Sequence, residues 1–599
     1  MKFIHNIFCL TCVLSIFTPL FLSGLSSSNP NSLRVQDPQL TWRSGVARID
    51  AATFSVRPKG LYAEVTLNMT YSSQGTTLLQ ASDTLEIQHY FTLPDNASVI
   101  DSWLWVDNEI VLAKLVDRWT ASQIYEGIVK RRKDPSILFK NSPTNYEYRI
   151  FPMSGNKTRR VQLTFLLPFD WQKGIASVEL PLNIIKQSNR FPPVNIRVFD
   201  NSTWKNARFS DFPSQNLAVT TDSTTGVPIR TTVLTDAQIM AGAIRLTFDS
   251  PMKNGVFVST FTQGNDSYYQ MAVQPDKVLN TISPPQKVLF LLDFGEGYTN
   301  MTALDFMNSF KLNARNTINA RDSFNIMFSR LTPTPLSNRW ISGTQLDSTL
   351  AQITEVNLST FRSTPNLLGQ GLTYLKNNNG GVLSLLSNDA ALSSIANANA
   401  LLAELKTISN PLPKIHVFDF NTLSYSSVWY NNQYYYGNDY LYGLLTAQAG
   451  GNFINTPYSA YSNNYNPNVR SYMLQYFTGF TPYYENFDTY TTLSNGGFCY
   501  ARFNLGSTPL AYINRAIVQT GKMVGQTPFQ IELSGTFNAV PFSKRVTVAD
   551  SLITAGDSSL VQGWATSQLL AWEAPTTRDN AAIRRIIDKI GRASCRERV

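Results

Sequence analysis

The stretch VLFLLDFGEG, Val288 to Gly297, places five apolar residues directly before a carboxylate, Asp293, and then two glycines around a glutamate. A continuous apolar run that ends in a loop is typical of a strand buried on both faces of a parallel sheet. In such sheets ligands bind beyond the carboxyl ends of the strands, which is where Asp293 falls. The stretch therefore predicts an α/β domain and the position of its candidate site.

The pattern around this strand extends the prediction over residues 285–460. The segments SFNIMFS, GVLSLLS and KIHVFDF read as further strands with helical stretches between them. After the first strand, apolar residues recur at helical spacing: Ala303, Phe306, Met307, Phe310, Ala314 and Ile318. Strands alternating with helices predict a doubly wound α/β domain, with a parallel sheet covered by helices on both faces.

The rest of the chain has a β pattern. In LYAEVTLNMTY, strict alternation puts one set of apolar residues on one face of a strand: Ala63, Val65, Leu67, Met69 and Tyr71. We expect a β-sandwich over residues 39–170 that contains one helical segment, Asp117 to Arg132. A β-rich connecting domain is expected at 171–284, a further β-rich domain at 467–550 and a truncated helical tail at 558–589.

Composition limits the class of protein. The 599 residues are 43% hydrophobic and 15% charged, a balance that favours several globular domains over a disordered chain. The net charge of +9 is spread thinly, and the dense basic run at 130–133 lacks a second basic stripe or an aromatic platform. We therefore expect no nucleic-acid partner.

The two ends of the chain carry separate signals. Residues 1–26 have the basic start, apolar run and small residues of a secretory signal peptide, with an uncleaved membrane anchor as the alternative. Residues 590–599 resemble the translation of a sequencing adaptor, so the natural chain is expected to continue past Lys589. Outside these ends Cys499 is the remaining cysteine, and we expect a small core residue there and no internal disulfide.

Several blocks in the N-terminal β region resemble the vault protein inter-alpha-trypsin (VIT) domain. They are FTLPDNASV from Phe91, the helix with Ala121 and Tyr125, KDPSILF from Lys133, and YEYRIFPMSGNKTRRVQLTF from Tyr146. With FQIELSGTFNAVPFSKRVTV from Phe529, the order of blocks is similar to inter-alpha-trypsin inhibitor heavy chains and their bacterial relatives. The resemblance implies an architecture and leaves the activity open.

A strand that ends in Asp before a loop and helix, downstream of a VIT-like domain, resembles the von Willebrand factor A (vWA) domain. That family binds Mg²⁺ through D-x-S-x-S, a Thr from a later loop and a second Asp, because Mg²⁺ prefers about six oxygen ligands. Here Asp293 holds the first position, but Gly295 and Gly297 replace the serines. The resemblance therefore implies a degenerate metal site.

The other two metal positions are also altered. The loop STPN puts Pro365 at the Thr position or, one residue out of register, Thr364. Asn388 stands where the second Asp is expected, with Asp389 next to it. A residual Mg²⁺ site would use Asp293, Thr364 and Asn388. Otherwise Asp293 caps the following turn or the start of the helix, and the glycines let the backbone turn sharply.

The segment YSSVWYNNQYYYGNDYLY is unusually aromatic. Tyr and Trp supply large rigid contact areas with a polar group at the edge. We expect either a contact surface for a protein partner or glycan, or a lid that packs on its own domain. The candidate contact residues are Tyr425, Trp429, Tyr430, Tyr434, Tyr435, Tyr436 and Tyr440.

No catalytic apparatus is visible in the sequence. His89 and His416 lie beside or inside apolar strands and are expected to be structural, and zinc or dinucleotide spacings are absent. We expect an exported, non-catalytic protein without a cofactor that mediates protein interaction or adhesion at a bacterial cell envelope. The alternatives are a Mg²⁺-dependent adhesin and an accessory factor of an envelope sorting or processing enzyme.

Overall fold

The chain forms two compact units, Met1–Thr281 with Tyr483–Val599, and Ile282–Pro482. In the described part of the chain no helix is long and apolar enough to cross a membrane. The computed structural model describes residues 32–572 apart from 77–79, 81, 95, 107–108, 114–135, 142–143, 156, 213, 241–242, 300, 359–360, 423–425, 457–468 and 506–510.

The first segment of the larger unit is built mostly from strands. They are β1 (Ser32–Gln36), β2 (Ser44–Val46), β3 (Arg48–Lys59), β4 (Tyr62–Ser72), β5 (Thr84–Thr92), β6 (Ser98–Val106), β7 (Glu109–Leu112), β8 (Ser136–Lys140), β9 (Asn145–Ser154), β10 (Arg159–Pro168), β11 (Asp170–Gln172), β12 (Ile175–Leu180), β13 (Val194–Val198), β14 (Arg208–Phe209), β15 (Ala218–Thr221), β16 (Pro228–Leu234), β17 (Ile244–Asp249), β18 (Val256–Gln263) and β19 (Asp266–Val273). Short helices are α1 (Asn183–Lys186), α2 (Asp236–Met240) and α3 (Pro275–Leu279).

The smaller unit alternates strands and helices. Its strands are β20 (Lys287–Asp293), β21 (Ser323–Phe328), β22 (Ile341–Ser342), β23 (Val382–Ser387), β24 (Ile415–Asp419), β25 (Ser427–Tyr430), β26 (Gln433–Tyr436) and β27 (Phe453–Asn455). Its helices are α4 (Ala303–Thr317), α5 (Leu346–Gln352), α6 (Thr364–Asn377), α7 (Ile395–Ile408), α8 (Asp439–Ala449) and α9 (Val469–Thr478), with 3-10 turns at Gly343–Gln345 and Glu355–Asn357.

The chain then returns to the larger unit. The strands there are β28 (Tyr483–Leu493), β29 (Phe498–Leu505), β30 (Ala511–Tyr512), β31 (Ile517–Val524), β32 (Phe529–Phe537), β33 (Val540–Val548) and β34 (Ile553–Ala555). A 3-10 turn, Asp550–Leu552, precedes β34, and α10 (Ser559–Trp572) follows it.

The described residues of the larger unit form four sheets. Their strand orders are β2-β1-β5-β9-β8, β15-β16-β13-β3-β4-β10-β6-β7, β11-β12-β17-β14, and β33-β32-β28-β29-β31-β19-β18-β34 with β30 paired to β28. Apolar residues of the first three sheets share one buried core. On β4 the alternation predicted from sequence is confirmed, because Ala63, Val65, Leu67, Met69 and Tyr71 are all buried.

The pairing cuts across the domain boundaries expected from sequence. β13, from the segment 171–284, pairs in parallel with β3, so it extends the sheet of the N-terminal domain. β19, from the same segment, pairs with β31 from the segment 467–550. The β domains expected at 171–284 and 467–550 are thus not separate in the structure. Strands of the segment 171–284 form backbone hydrogen bonds both with the N-terminal domain and with the segment 467–550.

The smaller unit is organised around a sheet of order β22-β21-β20-β23-β24-β27, parallel except for β22. Phe290 on β20 lies in a buried cluster with α4 and α9, whereas Leu291 lies in another with α6, α7 and α8. Helices therefore pack on both faces. This explains why β20 is apolar from Val288 to Leu292.

Three sequence predictions fall outside the described residues: the helix Asp117–Arg132, the signal peptide 1–26 and the end of the helical tail beyond Trp572. The helix predicted from Ala303 onward is confirmed as α4, and its N-terminus is capped by Thr302, whose side chain accepts a hydrogen bond from the Asp305 N–H.

His89 on β5 is an ionisable group inside the core of the larger unit. It is wholly buried, and its Nδ1 lies 2.7 Å from the Tyr71 hydroxyl. Burial lowers the pKa of His89 from 6.5 to about 3. The imidazole is therefore neutral in the folded chain at pH values where it is protonated in the unfolded chain.

This difference predicts a pH-dependent loss of stability. Because the unfolded state binds the extra proton, the free energy of unfolding falls as pH drops from 6.5 towards 3, by about 2 kcal/mol between pH 6.5 and 5. Urea unfolding at pH 7 and pH 5 should show a smaller acid-induced loss for His89→Gln than for the natural chain. Equal losses in the two proteins would contradict this assignment.

Candidate functional site

The carboxyl ends of three neighbouring parallel strands bring the candidate site together. Asp293 ends β20, Ser387 ends β23 and Asp419 ends β24. Helix α6 starts at Thr364, and residues 388 and 389 directly follow β23. The structure thus places the three residues predicted for a residual metal site, Asp293, Thr364 and Asn388, at one edge of the sheet.

Asp293 is completely buried. Its Oδ2 accepts hydrogen bonds from the Thr364 hydroxyl at 2.7 Å and from the Ser387 hydroxyl at 2.8 Å. Its Oδ1 has no hydrogen-bond partner among the residues that the structure describes. The carboxyl group therefore reaches across to two other chain segments. The interpretation of Asp293 as a cap of its own following turn is wrong, since the cap of α4 is Thr302.

A second carboxyl group, that of Asp389, belongs to the same network. The Thr364 hydroxyl lies 2.8 Å from Asp389 Oδ2 as well. Ser387 Oγ accepts hydrogen bonds from the Asp389 N–H at 3.0 Å and from the Tyr442 hydroxyl at 3.0 Å. Thr364 is thus the hydroxyl at this position, and the register that puts Pro365 there is wrong: Pro365 lies in the first turn of α6.

Asn388 is held by the backbone of Gly295. The Gly295 N–H donates to Asn388 Oδ1 at 2.8 Å, and Asn388 Nδ2 donates to the Gly295 carbonyl at 2.8 Å. Asn388 Oδ1 also accepts a hydrogen bond of 2.9 Å from Arg362 Nη1. Two donors therefore already occupy the Asn388 side-chain oxygen, so it has no lone pair left for a metal ion.

Arg362 brings a positive charge into this edge. Its Nη1 lies 3.9 Å from Asp293 Oδ1 and its Nη2 lies 3.9 Å from Asp389 Oδ1. Its guanidinium carbon lies 4.9 Å from the centre of the Tyr298 ring, a cation–π contact. The Arg362 side chain is 13% exposed, so most of it is sequestered from water.

Gly295 and Gly297 are required for different structural reasons. Gly297 has a φ of +82° and lets the loop turn. Gly295 instead makes space, because a Cβ placed on it would lie 2.3 Å from the guanidinium carbon of Arg362. A serine at position 295 would therefore collide with the guanidinium.

Burial controls the electrostatics of the acidic groups. Burial raises the pKa of Asp293, and the charge of Arg362 opposes this shift. Burial, reinforced by the neighbouring Asp439, holds the pKa of Asp419 well above its usual range. These carboxyl groups need nearby positive charge or hydrogen-bond donors to be ionised inside the protein.

The residues present do not fit a divalent metal. Mg²⁺ needs about six oxygen ligands in octahedral geometry. Gly295 and Gly297 supply no hydroxyl, and the side-chain oxygen of Asn388 already accepts two hydrogen bonds. Among the described residues, no group of three or more His, Cys, Asp or Glu side chains is placed to hold a metal ion.

Sequence reasoning missed Arg362, Ser387 and Tyr442 at this site. Arg362 directly precedes the STPN loop. Its position beside that loop could therefore be predicted from the sequence, but the direction of its side chain could not. Glycine at both serine positions was a second indication that another side chain enters this site. A smaller residue in a buried loop leaves volume that another side chain can fill.

The aromatic segment forms a hairpin at the same edge of the sheet. β25 and β26 pair through a turn at Asn431 and Asn432, which both have φ between +50° and +61°. Tyr430 and Tyr435 make edge contacts with Tyr440 of α8 at 5.5 Å and 5.3 Å between ring centres. This face of the hairpin packs on its own unit, as the lid interpretation predicted.

The opposite face of the hairpin is open. Trp429 pairs across the strands with Tyr434, with ring centres 4.6 Å apart, and Tyr436 stacks on Tyr434 at 6.5 Å. Trp429 is 55% exposed and Tyr434 57% exposed. Among the predicted contact residues, Tyr425 lies outside the described part of the chain.

The base of the hairpin lies next to the acidic network. A Cβ placed on Gly437, which follows β26, would lie 3.5 Å from Ala390 Cβ and 3.8 Å from Asn421 Nδ2. Ala390 follows Asp389, and Asn421 donates to the Asn388 carbonyl at 3.2 Å. The hairpin and the arginine–carboxylate network are thus parts of one surface region.

The other candidate reactive groups are buried. His416 lies on β24, its Nδ1 accepts a hydrogen bond from the Asn452 N–H at 3.2 Å, and burial lowers its pKa to about 4. Cys499 lies buried on β29, and burial raises the pKa of its thiol to about 11. The expectation of a small core cysteine is confirmed.

Comparison with known proteins identifies the N-terminal domain. Residues 50–165 match the family model described as the Vault protein inter-alpha-trypsin domain. This part of the chain therefore matches the VIT domain, as its sequence blocks predicted. None of the curated proteins compared with the chain matches it.

Solved structures with similarity to the chain include domains of the von Willebrand factor A type. The ArnB paralog VWA2 from Sulfolobus acidocaldarius is 12% identical, with 57% of this chain and 96% of that chain covered and a TM-score of 0.21. The PilB minor pilin from Streptococcus sanguinis is 9% identical, with 46% and 86% covered and a TM-score of 0.24. An aerotolerance-related membrane protein from Bacteroides fragilis is 7% identical, with 33% and 98% covered and a TM-score of 0.24. Similarity this low adds nothing to the strand order and helix packing described above.

The space beside Gly295 leads to a stability prediction. Gly295→Ala should expel the Arg362 guanidinium and leave Asp293 without its opposite charge, which lowers the free energy of unfolding by roughly 2–4 kcal/mol. Urea or thermal unfolding measures the change. Gly443→Ala is the matched control, because a Cβ there would contact only Phe453, at 4.0 Å, and should be neutral or slightly stabilising. Equal stability of the two variants would contradict the packing assignment.

Proposed function

We propose that this protein is an exported, non-catalytic VIT and vWA-like protein that binds a protein partner at a bacterial cell envelope. In this proposal the larger unit is a β-sandwich assembly and the smaller unit a doubly wound vWA-like domain. The partner-binding surface is the open face of the aromatic hairpin, beside the carboxyl ends of the parallel strands.

The single observation that carries the proposal is the division of the hairpin into two faces. Tyr430 and Tyr435 anchor one face on Tyr440, so the hairpin has a defined position on its own unit. Trp429 and Tyr434 form a paired aromatic surface that is more than half exposed. Ordered, exposed Trp and Tyr side chains are typical of protein contact surfaces, because little side-chain entropy is lost on binding.

Binding is favoured over catalysis by the chemistry of the buried groups. His89, His416 and Cys499 are buried in strands, where they lack access to a substrate. The carboxylates of Asp293 and Asp389 are tied to the Thr364 hydroxyl and to Arg362, so neither of these two is positioned as a general base. A cofactor is not part of the proposal.

Export and the envelope location rest on sequence. Residues 1–26 have the composition of a signal peptide. The region between the leader and the suspected adaptor contains one cysteine, Cys499, which favours a bacterial envelope over animal plasma, where extracellular domains often use disulfides.

The proposal predicts that partner binding depends on the open hairpin face. The double substitution Trp429→Ser with Tyr434→Ser should remove at least one bound protein and leave the thermal stability nearly unchanged, because both residues are exposed. Affinity capture from an envelope extract, followed by mass spectrometry, compares this variant with the natural chain. Tyr490→Ser is the control, since Tyr490 is 49% exposed but lies on β28, far along the chain from the hairpin.

The Tyr490→Ser control distinguishes loss of a specific partner from a general effect of removing an exposed aromatic side chain. A protein retained by the natural chain and by Tyr490→Ser, but lost from the hairpin variant, identifies the partner class and supports the proposal. Identical sets of bound proteins for all three would refute the hairpin as the contact surface. Retention of a glycan in place of a protein would refute the protein-binding form of the proposal.

A further inference from the structure

We propose that Arg362 is the resident cation of the sheet edge, so that its guanidinium takes the place assigned by resemblance to Mg²⁺. The smaller unit then folds and functions independently of divalent metals. This holds whether or not the aromatic hairpin binds a partner, because it depends only on the residues around Asp293.

The first argument is one of space. Three guanidinium atoms of Arg362, namely Cζ, Nη1 and Nη2, lie 2.3, 2.5 and 2.6 Å from the position that a Cβ of residue 295 would occupy. Gly295 has no left-handed φ that would otherwise call for glycine. The missing side chain at 295 therefore accounts for the room in which the guanidinium sits.

The second argument is the set of directional contacts. Arg362 Nη1 donates to Asn388 Oδ1 at 2.9 Å, and the same amide is fixed from the other side by both backbone groups of Gly295. The guanidinium carbon also lies over the Tyr298 ring, 4.9 Å from its centre. A planar cation with several N–H donors suits such partners, whereas Mg²⁺ would require oxygen ligands at about 2.0–2.1 Å.

The third argument is charge. Arg362 lies 3.9 Å from a carboxylate oxygen of Asp293 and 3.9 Å from one of Asp389. The Asp293 oxygen in question, Oδ1, is buried and accepts no hydrogen bond from the described residues, so the stabilisation that these residues give it is electrostatic. A buried carboxylate without an opposite charge is strongly destabilising. The position of Arg362 supplies that charge.

The two departures from the metal-site pattern are therefore complementary. Replacing a serine with Gly295 removes a hydroxyl ligand and opens a cavity, and Arg362 fills the cavity and adds a positive charge. Asn388, in place of the second aspartate, accepts a hydrogen bond from the guanidinium and adds no further negative charge. The site thus contains a cation, which is the guanidinium group of the chain's own Arg362 instead of a bound metal ion.

The test uses the full chain and measures its melting temperature with EDTA, Mg²⁺ or Mn²⁺. The natural chain should melt at the same temperature in all three. Arg362→Met should melt at a lower temperature in EDTA, whereas Arg321→Met, which removes an exposed arginine of the same unit, should not. A metal held at one hundred times its Kd would raise the melting temperature by about 5 °C or more, so binding to the natural chain would be detected.

A second substitution tests the charge assignment directly. Asp293→Asn in the Arg362→Met background should recover part of the lost melting temperature, since the buried charge is removed together with its partner. If Arg362→Met does not fold, Arg362→Lys retains a positive charge and should fold with a melting temperature below that of Arg321→Met, again without a metal response.

Two results would overturn the inference. One is a rise in the melting temperature of the natural chain with Mg²⁺ or Mn²⁺ that Asp293→Asn abolishes, because a metal would then be the resident cation. The other is a melting temperature of Arg362→Met or Arg362→Lys in EDTA equal to that of Arg321→Met, because the guanidinium would then stabilise nothing.

Discussion

A carboxyl group at the end of a strand buried on both faces must be neutralised or hydrogen-bonded, and this requirement organises the sheet edge of the smaller unit. β20 is enclosed by helices, so Asp293 emerges with no access to water. The hydroxyls of Thr364 and Ser387 and the charge of Arg362 meet it there. Because these groups come from separate segments, satisfying one carboxyl group fixes the start of α6 and the loops after β20 and β23 relative to each other.

The hairpin beside this edge is stabilised by contacts between aromatic rings instead of by charge compensation. One face is stabilised by contacts of Tyr430 and Tyr435 with Tyr440, while Trp429 and Tyr434 stabilise each other on the exposed face. The two interpretations of the aromatic segment, a lid and a contact surface, are therefore compatible, since alternate residues of a two-stranded ribbon point to opposite sides. The Trp429–Tyr434 face of the hairpin is therefore exposed, while the face that carries Tyr430 and Tyr435 packs on Tyr440.

Periodic patterns made much of the fold predictable. The alternation on β4, the apolar run of β20 and the helical spacing of α4 each reflect local backbone geometry, which a short window of sequence contains. Domain boundaries were less predictable, because β19 finds its partner β31 across the whole inserted unit. At the site, Asp293, Thr364 and Asn388 were identified from the order of motifs. Arg362 was missed because motif spacing does not encode the direction of a long side chain.

Residue patterns alone were enough to predict the class of elements such as β4, β20 and α4, the VIT-like blocks and the absence of hydroxyl side chains at positions 295 and 297. These properties depend on residue type and local order. The folded chain was needed to show which side chain occupies the space beside Gly295, which β segments share a sheet and which face of the aromatic hairpin is open. The physical reason is that charge compensation, strand pairing and exposure are set by neighbours in space, and the neighbours of Gly295 and β19 are distant in the chain.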